Sequence, residues 1–405
     1  MFRTLTVLSL VALLAVSSVS AESIARNVDT SLDTSSGSSR GAASIPSVVV
    51  TVENASPSRG TFLTPIWIGI HDGTFDSYDG GQLASVPLGG NEIEALAEDG
   101  NNGPITATFD ALTGGAPQVS GLPGPAGPLA PGDRAGVTFQ VDPSIDRYFS
   151  YASMIIPSND FFIANGNPLA HQLFDDAGNF VGTNFVVSGD ETNDAGTELN
   201  DEVAGNVAFL NQGAPDTGVT TAEPVVTPAP GFAAPGDLAY PDGVLNYPVF
   251  GNGDFNDADD RLLSVTLRFV DLGGRVKFEA DLSTGAEVQE DAVVSDATGN
   301  ARLRSRNGER LEIQAFVRDL TGPLVAAHLH LGAEGVNGPV VADLGDGIRN
   351  NGIQISIDAS DLTGPLGGES FVSLLNELAA GNIYLNLHTE AFPAGELRGQ
   401  VGLVD

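Results

Sequence analysis

The sequence predicts an all-β protein built as two sandwich or barrel domains. Three observations carry that expectation. Short segments rich in Val, Thr and Phe recur, each closed by Gly, Pro, Asn or Asp. Helical periodicity is nearly absent between them. At 405 residues, the chain is long enough for two ordinary cores.

The first element is MFRTLTVLSLVALLAVSSVSA. One Arg precedes a Leu/Val run of about a dozen residues, too short to cross a hydrocarbon layer that needs roughly 20. Small residues end it, so residues 1–21 read as a secretory signal cleaved near Ala21. No later segment is long and apolar enough to span a bilayer, and the closing GQVGLVD carries no anchor. The expected product is secreted, extracellular or periplasmic, without membrane insertion. Residues 22–45 are polar, Ser/Gly-rich and aperiodic, as in a flexible linker.

From "SVVVTVENA" (47–55) onward the strand pattern begins. It continues through "GVTFQVD", "RYFSYASMIIP", "LLSVTLRFVD", "RVKFEADL", "LEIQAFVRDL", "IQISIDASDL", "IYLNLHTE" and "ELRGQVGLV". Two short helices are expected, at "NEIEALAEDG" and "SFVSLLNELAAG", the second with Gly381 as its C-cap. Pro/Gly-rich stretches at 120–133 and 213–237 cannot be central strands, because proline removes a ladder donor. The second of them has the composition of a linker. "RLLSVTLRFV" follows it and is expected to return to the first sheet, which places the domain boundary at "DLGG" (271–274). The domains are therefore 46–271 and 272–405.

There are 52 acidic against 17 basic residues, a formal net charge of −35, and Lys277 is the sole lysine. A field of that sign argues against nucleic acid and anionic membranes as partners. It favours bound cations such as Ca²⁺, or a saline habitat. With no cysteine, stability must come from burial or ions.

"FLTPIWIGIHDGTFDSYDGGQLAS", "MIIPSNDFFIANGNP" and "DETNDAGTELND" together resemble the spondin N-terminal domain, particularly its bacterial members. The resemblance spans residues 46–271. It implies a calcium-binding β-sandwich of an extracellular matrix protein, with Asp160, Asp194 and Glu198 as calcium ligands. The residues themselves fit that chemistry. Ca²⁺ takes six to eight oxygens, Asp194-Ala-Gly-Thr-Glu198 sets two carboxylates around a glycine turn, and Thr197 can add an oxygen. The alternative is a solvated acidic loop. "HDGTFDSYDGG" and "NGDFNDADD" are looser clusters that turn chemistry explains.

"ADLSTGAEVQ", "SDATGNARL", "VRDLTGPLVAAHLHLGAEGVNGPVVADL" and "GNIYLNLHTEAFPAGELRGQV" resemble a CHRD domain over 272–405. This module is named from chordin and occurs in secreted bacterial proteins. It implies an immunoglobulin-like or superoxide-dismutase-like β-barrel. In a strand, residues i and i+2 share a face, so His328 and His330 project together and can chelate one Zn²⁺ or Cu ion. His388 is the candidate third ligand. Glu396 or Glu287 is a candidate fourth or orienting carboxylate. The alternative is a structural His–Glu network using Glu334, Glu390 or Glu396. The His-x-His strand also resembles, locally, the copper site of copper/zinc superoxide dismutases. The chain's five histidines fall short of the six histidines and one aspartate those enzymes use, and His71 and His171 lie in the first domain. No catalytic motif is present.

The leading functional expectation is a calcium-binding extracellular adhesion or binding module, whose partner is a protein or a glycan. A Zn/Cu metalloenzyme or metal-binding protein is the second expectation, and a structural component of an envelope or biofilm matrix the third.

Overall fold

The computed structural model describes residues 43–112, 119–121, 127–207, 210–222, 224–241, 243–350 and 352–404. The expected signal (1–21) and all but the end of the expected linker (22–45) lie outside the described residues. The described residues form one compact unit, and the fold is all-β, as the sequence predicts.

Two antiparallel sheets make the first half. One has the order Arg134–Gln140, Pro46–Asn54, Arg261–Asp271, Phe185–Ser188. The other runs Thr227–Pro228, Asn193–Asp194, Phe161–Ala164, Tyr148–Ile156, Trp67–His71, Val119–Gly121, with two short strands added to Tyr148–Ile156. Val48, Val50 and Val52 alternate along their strand and pack against Ile68, Ile70, Phe149 and Tyr151 between the sheets. Val49 points the other way and joins the core of the second half. One Val/Thr run thus serves two cores.

Helix Glu92–Asp99 and helix Gly103–Leu112 close the outer face of the second sheet. Trp67, Phe75 and Phe109 lock them there, with Phe75 and Phe109 rings 4.9 Å apart and edge-on. The sequence predicts only the first helix. The second carries Pro104 in its first turn and buries Ile105 and Phe109, four residues apart. Its Thr content masked that spacing.

The second half is one ten-stranded sheet. Its order is Val340–Asp343, Leu324–Leu331, Ile383–Thr389, Leu397–Gln400, Arg275–Ser283, Thr298–Arg306, Arg310–Arg318, Gly352–Asp358, Ile348–Arg349, with Gly402–Leu403 paired to Arg275–Ser283. Strand Arg275–Ser283 alternates exposed and buried residues along its length. The sheet curls so that Phe278, Leu303, Ile313, Leu329 and Leu385 share one core. Strand Arg261–Asp271 ends in the first sheet, and the next strand opens the ten-stranded one.

Helix Phe371–Ala380 joins the halves. Gly381 ends it with φ 78°, a left-handed conformation that suits glycine. Asn376 O accepts from Thr138 Oγ1 at 2.9 Å, and Gly136 O accepts from Asn382 Nδ2 at 3.1 Å. A Cβ on Gly136 would collide with the Ala380 carbonyl, so glycine is what lets helix and strand approach.

Candidate metal centre

On strand Leu324–Leu331, Ala327 and Leu329 point into the core at 0% exposure, so His328 and His330 must point away from it. The neighbouring strand Ile383–Thr389 repeats the pattern. Leu385 and Leu387 face the core, leaving Tyr384, Asn386 and His388 beside the histidines. The register sets His328 opposite Asn386, His330 opposite Tyr384 and Ala326 opposite His388. His388 is therefore diagonal to His328, within side-chain reach.

One nitrogen from each of His328, His330 and His388 lies within 4.8 Å of the other two. His328 Nδ1 and His388 Nε2 are 3.1 Å apart. Two imidazole nitrogens bound tetrahedrally to one zinc, at about 2.0–2.1 Å each, sit about 3.3 Å from one another. The His328–His388 pair is close to that spacing, and the His330 nitrogen lies within 4.8 Å of both.

Carbonyl oxygens fix the tautomers, since they can only accept. His330 Nδ1 donates to Gly338 O at 2.9 Å and His388 Nδ1 to Pro393 O at 3.0 Å. Each ring is thereby left with a bare lone pair on Nε2. The Nε2 of His330 is buried and has no partner. The Nε2 of His388 accepts from His328 Nδ1, a proton that an incoming ion would displace. Burial pulls all three imidazoles below their ordinary range, and for His328 the neighbouring His388 lowers it further. Neutral imidazole is the ligand form.

The loop over His330 is pinned. Arg398, 2% exposed, donates to Asn337 Oδ1 at 3.0 Å and to Val336 O at 2.7 Å. Its guanidinium carbon lies 3.6 Å from the Tyr384 ring centroid, and that ring stacks on His330 at 4.8 Å and 9°. Tyr384 Oη also accepts from Gly338 N at 3.1 Å. Arg398 and Tyr384 thus hold the residue whose carbonyl orients His330. Sequence reading passed over Arg398, although a lone Arg between apolar strand residues in "ELRGQV" is a signal.

Glu396 is fully buried but faces elsewhere. Its oxygens accept from Ser295 Oγ (2.6 Å), Thr321 N (2.9 Å), Thr321 Oγ1 (2.8 Å) and Thr389 Oγ1 (2.6 Å). Burial pushes its carboxyl up, yet these bonds outweigh it and hold the group below the usual range. It ties loops to the strand end. Among the described residues no carboxylate hydrogen-bonds any of the three imidazoles, Glu334 and Glu390 included. Glu287 instead lies beside Asn386, whose Nδ2 approaches Glu287 Oε2 at 3.4 Å.

The other two histidines stay apart. His71 Nδ1 accepts from Gly73 N at 3.0 Å, so its Nε2 carries the proton and donates to Ser150 Oγ at 2.8 Å. That tautomer cannot deprotonate the serine. His171 stacks on Phe185 at 3.8 Å. Burial takes both rings down to about 4.

The acidic residues expected to hold calcium share one region. Asp160, 0% exposed, accepts on Oδ2 from Glu198 N (2.9 Å) and Thr197 Oγ1 (3.2 Å), while Oδ1 has no partner. Asp194 accepts from Gly196 N at 2.7 Å and Asn200 Nδ2 at 2.5 Å. Glu198 accepts from Gly218 N at 2.8 Å. The carboxylates that converge within 4.8 Å, however, are Glu198, Glu98 and Asp216. Glu98 ends the first helix and Asp216 lies in the stretch that reads as a linker. Burial pushes Glu98 up to about 8, and Asp160 and Glu198 up to about 7. The sequence held one hint: acids in the last helical turn oppose the helix dipole. In the looser clusters, Asp72 and Asp257 accept from backbone N–H groups two residues on, as turn chemistry requires.

Residues 278–401 match the CHRD domain family, a range that contains His328, His330, His388, Glu396 and Arg398. The second half therefore carries a CHRD domain. This comparison gives no support to the spondin resemblance of residues 46–271. A search of curated proteins finds no match. No described helix is long and apolar enough to cross a membrane.

Proposed function

We propose that the protein is an extracellular binding module whose CHRD domain holds a zinc or copper ion on His328, His330 and His388. One observation supports this above the others. Three imidazoles share one sheet face with one nitrogen of each within 4.8 Å of the others, and His330 Nε2 is buried without a partner. Carbonyls at Gly338 and Pro393 serve as the orienting acceptors that metal-bound histidines ordinarily have. Three neutral ligands leave a fourth position open, as in binding or catalytic sites and unlike closed structural ones. Elemental analysis of the full chain, purified without chelator or His tag, tests the reading. About one equivalent of Zn or Cu, lost in H328A/H330A, is expected. An equal and negligible content in both proteins would refute it.

A second reading concerns calcium, favoured by two buried carboxylates, Glu98 and Glu198, gathered with the exposed Asp216. Glu98, Glu198 and Asp216 would bind the ion, with Asp160 and Asp194 bracing the Thr197–Glu198 turn. This reading accompanies the proposed spondin-like character of the first half. It makes the protein a secreted, calcium-stabilised adhesion module for an extracellular protein or glycan, or a component of an envelope or biofilm matrix. A calcium-induced rise in Tm that E98Q/E198Q abolishes would support it. A rise of equal size in the variant would rule those ligands out.

A further inference from the structure

Two orphaned oxygens stand near the histidines, one on their own sheet face and one on a loop residue beside it. Asn386, 5% exposed, stands directly across from His328 and two residues before His388, and its Oδ1 has no hydrogen-bond partner. Glu287 Oε1 is likewise buried and unpaired. The two lie close together. The point that a Cβ on Gly395 would occupy is 2.6 Å from Asn386 Oδ1 and 2.7 Å from Glu287 Oε1, at a residue whose φ of 133° excludes most side chains. With His330 Nε2, these unsatisfied atoms are all acceptors.

Buried acceptors without donors cost free energy unless something supplies hydrogen atoms or positive charge. An anion would add a further acceptor to a wall that already holds a carboxylate. A neutral ligand bearing hydrogens, bound to the ion through its own lone pair, satisfies both sides at once. Water and ammonia have that form; azide, cyanide and carboxylates do not.

We infer that Asn386 and Glu287 form the outer wall of the metal's open position and select neutral, hydrogen-bearing ligands over anions. This rests on the three-histidine reading, which the test separates from it. The full chain is loaded with one equivalent of Co²⁺, whose visible spectrum reports its ligands, and titrated with azide. The wild type binds azide weakly. Glu287→Gln, which keeps the shape and removes the charge, binds it about tenfold more tightly. Asn386→Asp, which adds a charge in the same volume, binds it about tenfold more weakly. Glu390→Gln, an exposed carboxylate on the following turn, leaves the affinity unchanged. Equal azide affinity in wild type, E287Q and N386D, with the Co²⁺ spectrum intact, would overturn the wall while sparing the metal site. Absence of a Co²⁺ spectrum in the wild type would overturn both.

Discussion

Replacing Arg398 by Lys probes how the fold sustains the metal centre from a distance. The charge remains, but an ammonium presents a single point where the guanidinium spans Asn337 Oδ1 and Val336 O and covers Tyr384. Losing one charge-assisted bond costs about 1.5–3 kcal/mol, and the desolvated cation–π contact adds about 1–2 kcal/mol. Lysine recovers part of this, so a net loss of about 2–3 kcal/mol is expected. Urea denaturation of the metal-free protein measures it as a lower midpoint at unchanged slope. Metal affinity should fall as well. Freed from Arg398, the 333–337 loop no longer fixes the Gly338 carbonyl, and His330 loses the acceptor that sets its tautomer. Removing such an orienting partner typically costs about 10–100-fold in affinity. Competition against a chromophoric zinc chelator reads that directly. A midpoint equivalent to less than about 0.5 kcal/mol of change, with zinc affinity within threefold of wild type, would refute the reasoning.

Other outcomes follow from the same geometry. Gly136→Ala drives a methyl into the Ala380 carbonyl and should cost about 2 kcal/mol, seen as a drop in Tm. Leu329→Ala, at 0% exposure beneath the histidines, should cost about 3 kcal/mol by urea titration. Glu98, Asp160 and Glu198 have folded values of about 8, 7 and 7, above their unfolded ones, so the native state binds more protons than the unfolded state between them. In chelator, these groups' contribution should be full below about 4 and be lost as pH rises from there to about 8, and saturating calcium should flatten that fall. His71 and His171 have folded values of about 4, below their unfolded ones. Their contribution is full above about 6.5 and is lost as pH drops toward 4. Replacing either by Phe should reduce the acid sensitivity in that window, measured as Tm against pH.

Much of this arrangement was legible in the sequence because strand periodicity is strict. His328 and His330, two apart in a strand, had to share a face. His388 could be named only as a candidate third ligand on a later strand. The chain order of strands and the C-cap at Gly381 were legible for the same local reasons. Register was not. That Asn386 faces His328, and that Glu396 turns to Ser295, Thr321 and Thr389, depends on pairings between distant strands and on loops that cross the sheet. Glu98 and Asp216 stayed hidden because helix end and proline-rich loop meet only in the folded chain. Helix Gly103–Leu112 was hidden because Thr and Gly mask its apolar spacing, which becomes decisive only beside Trp67 and Phe75.

The central claim is that three imidazoles bind one ion. X-ray absorption at the zinc edge, on protein loaded with one equivalent of zinc, tests it most directly. The expected spectrum has three imidazole nitrogens and one oxygen at about 2.0–2.1 Å, with the outer-shell scattering that imidazole rings give. A shell of oxygens alone would place the metal among the carboxylates and contradict the assignment to His328, His330 and His388.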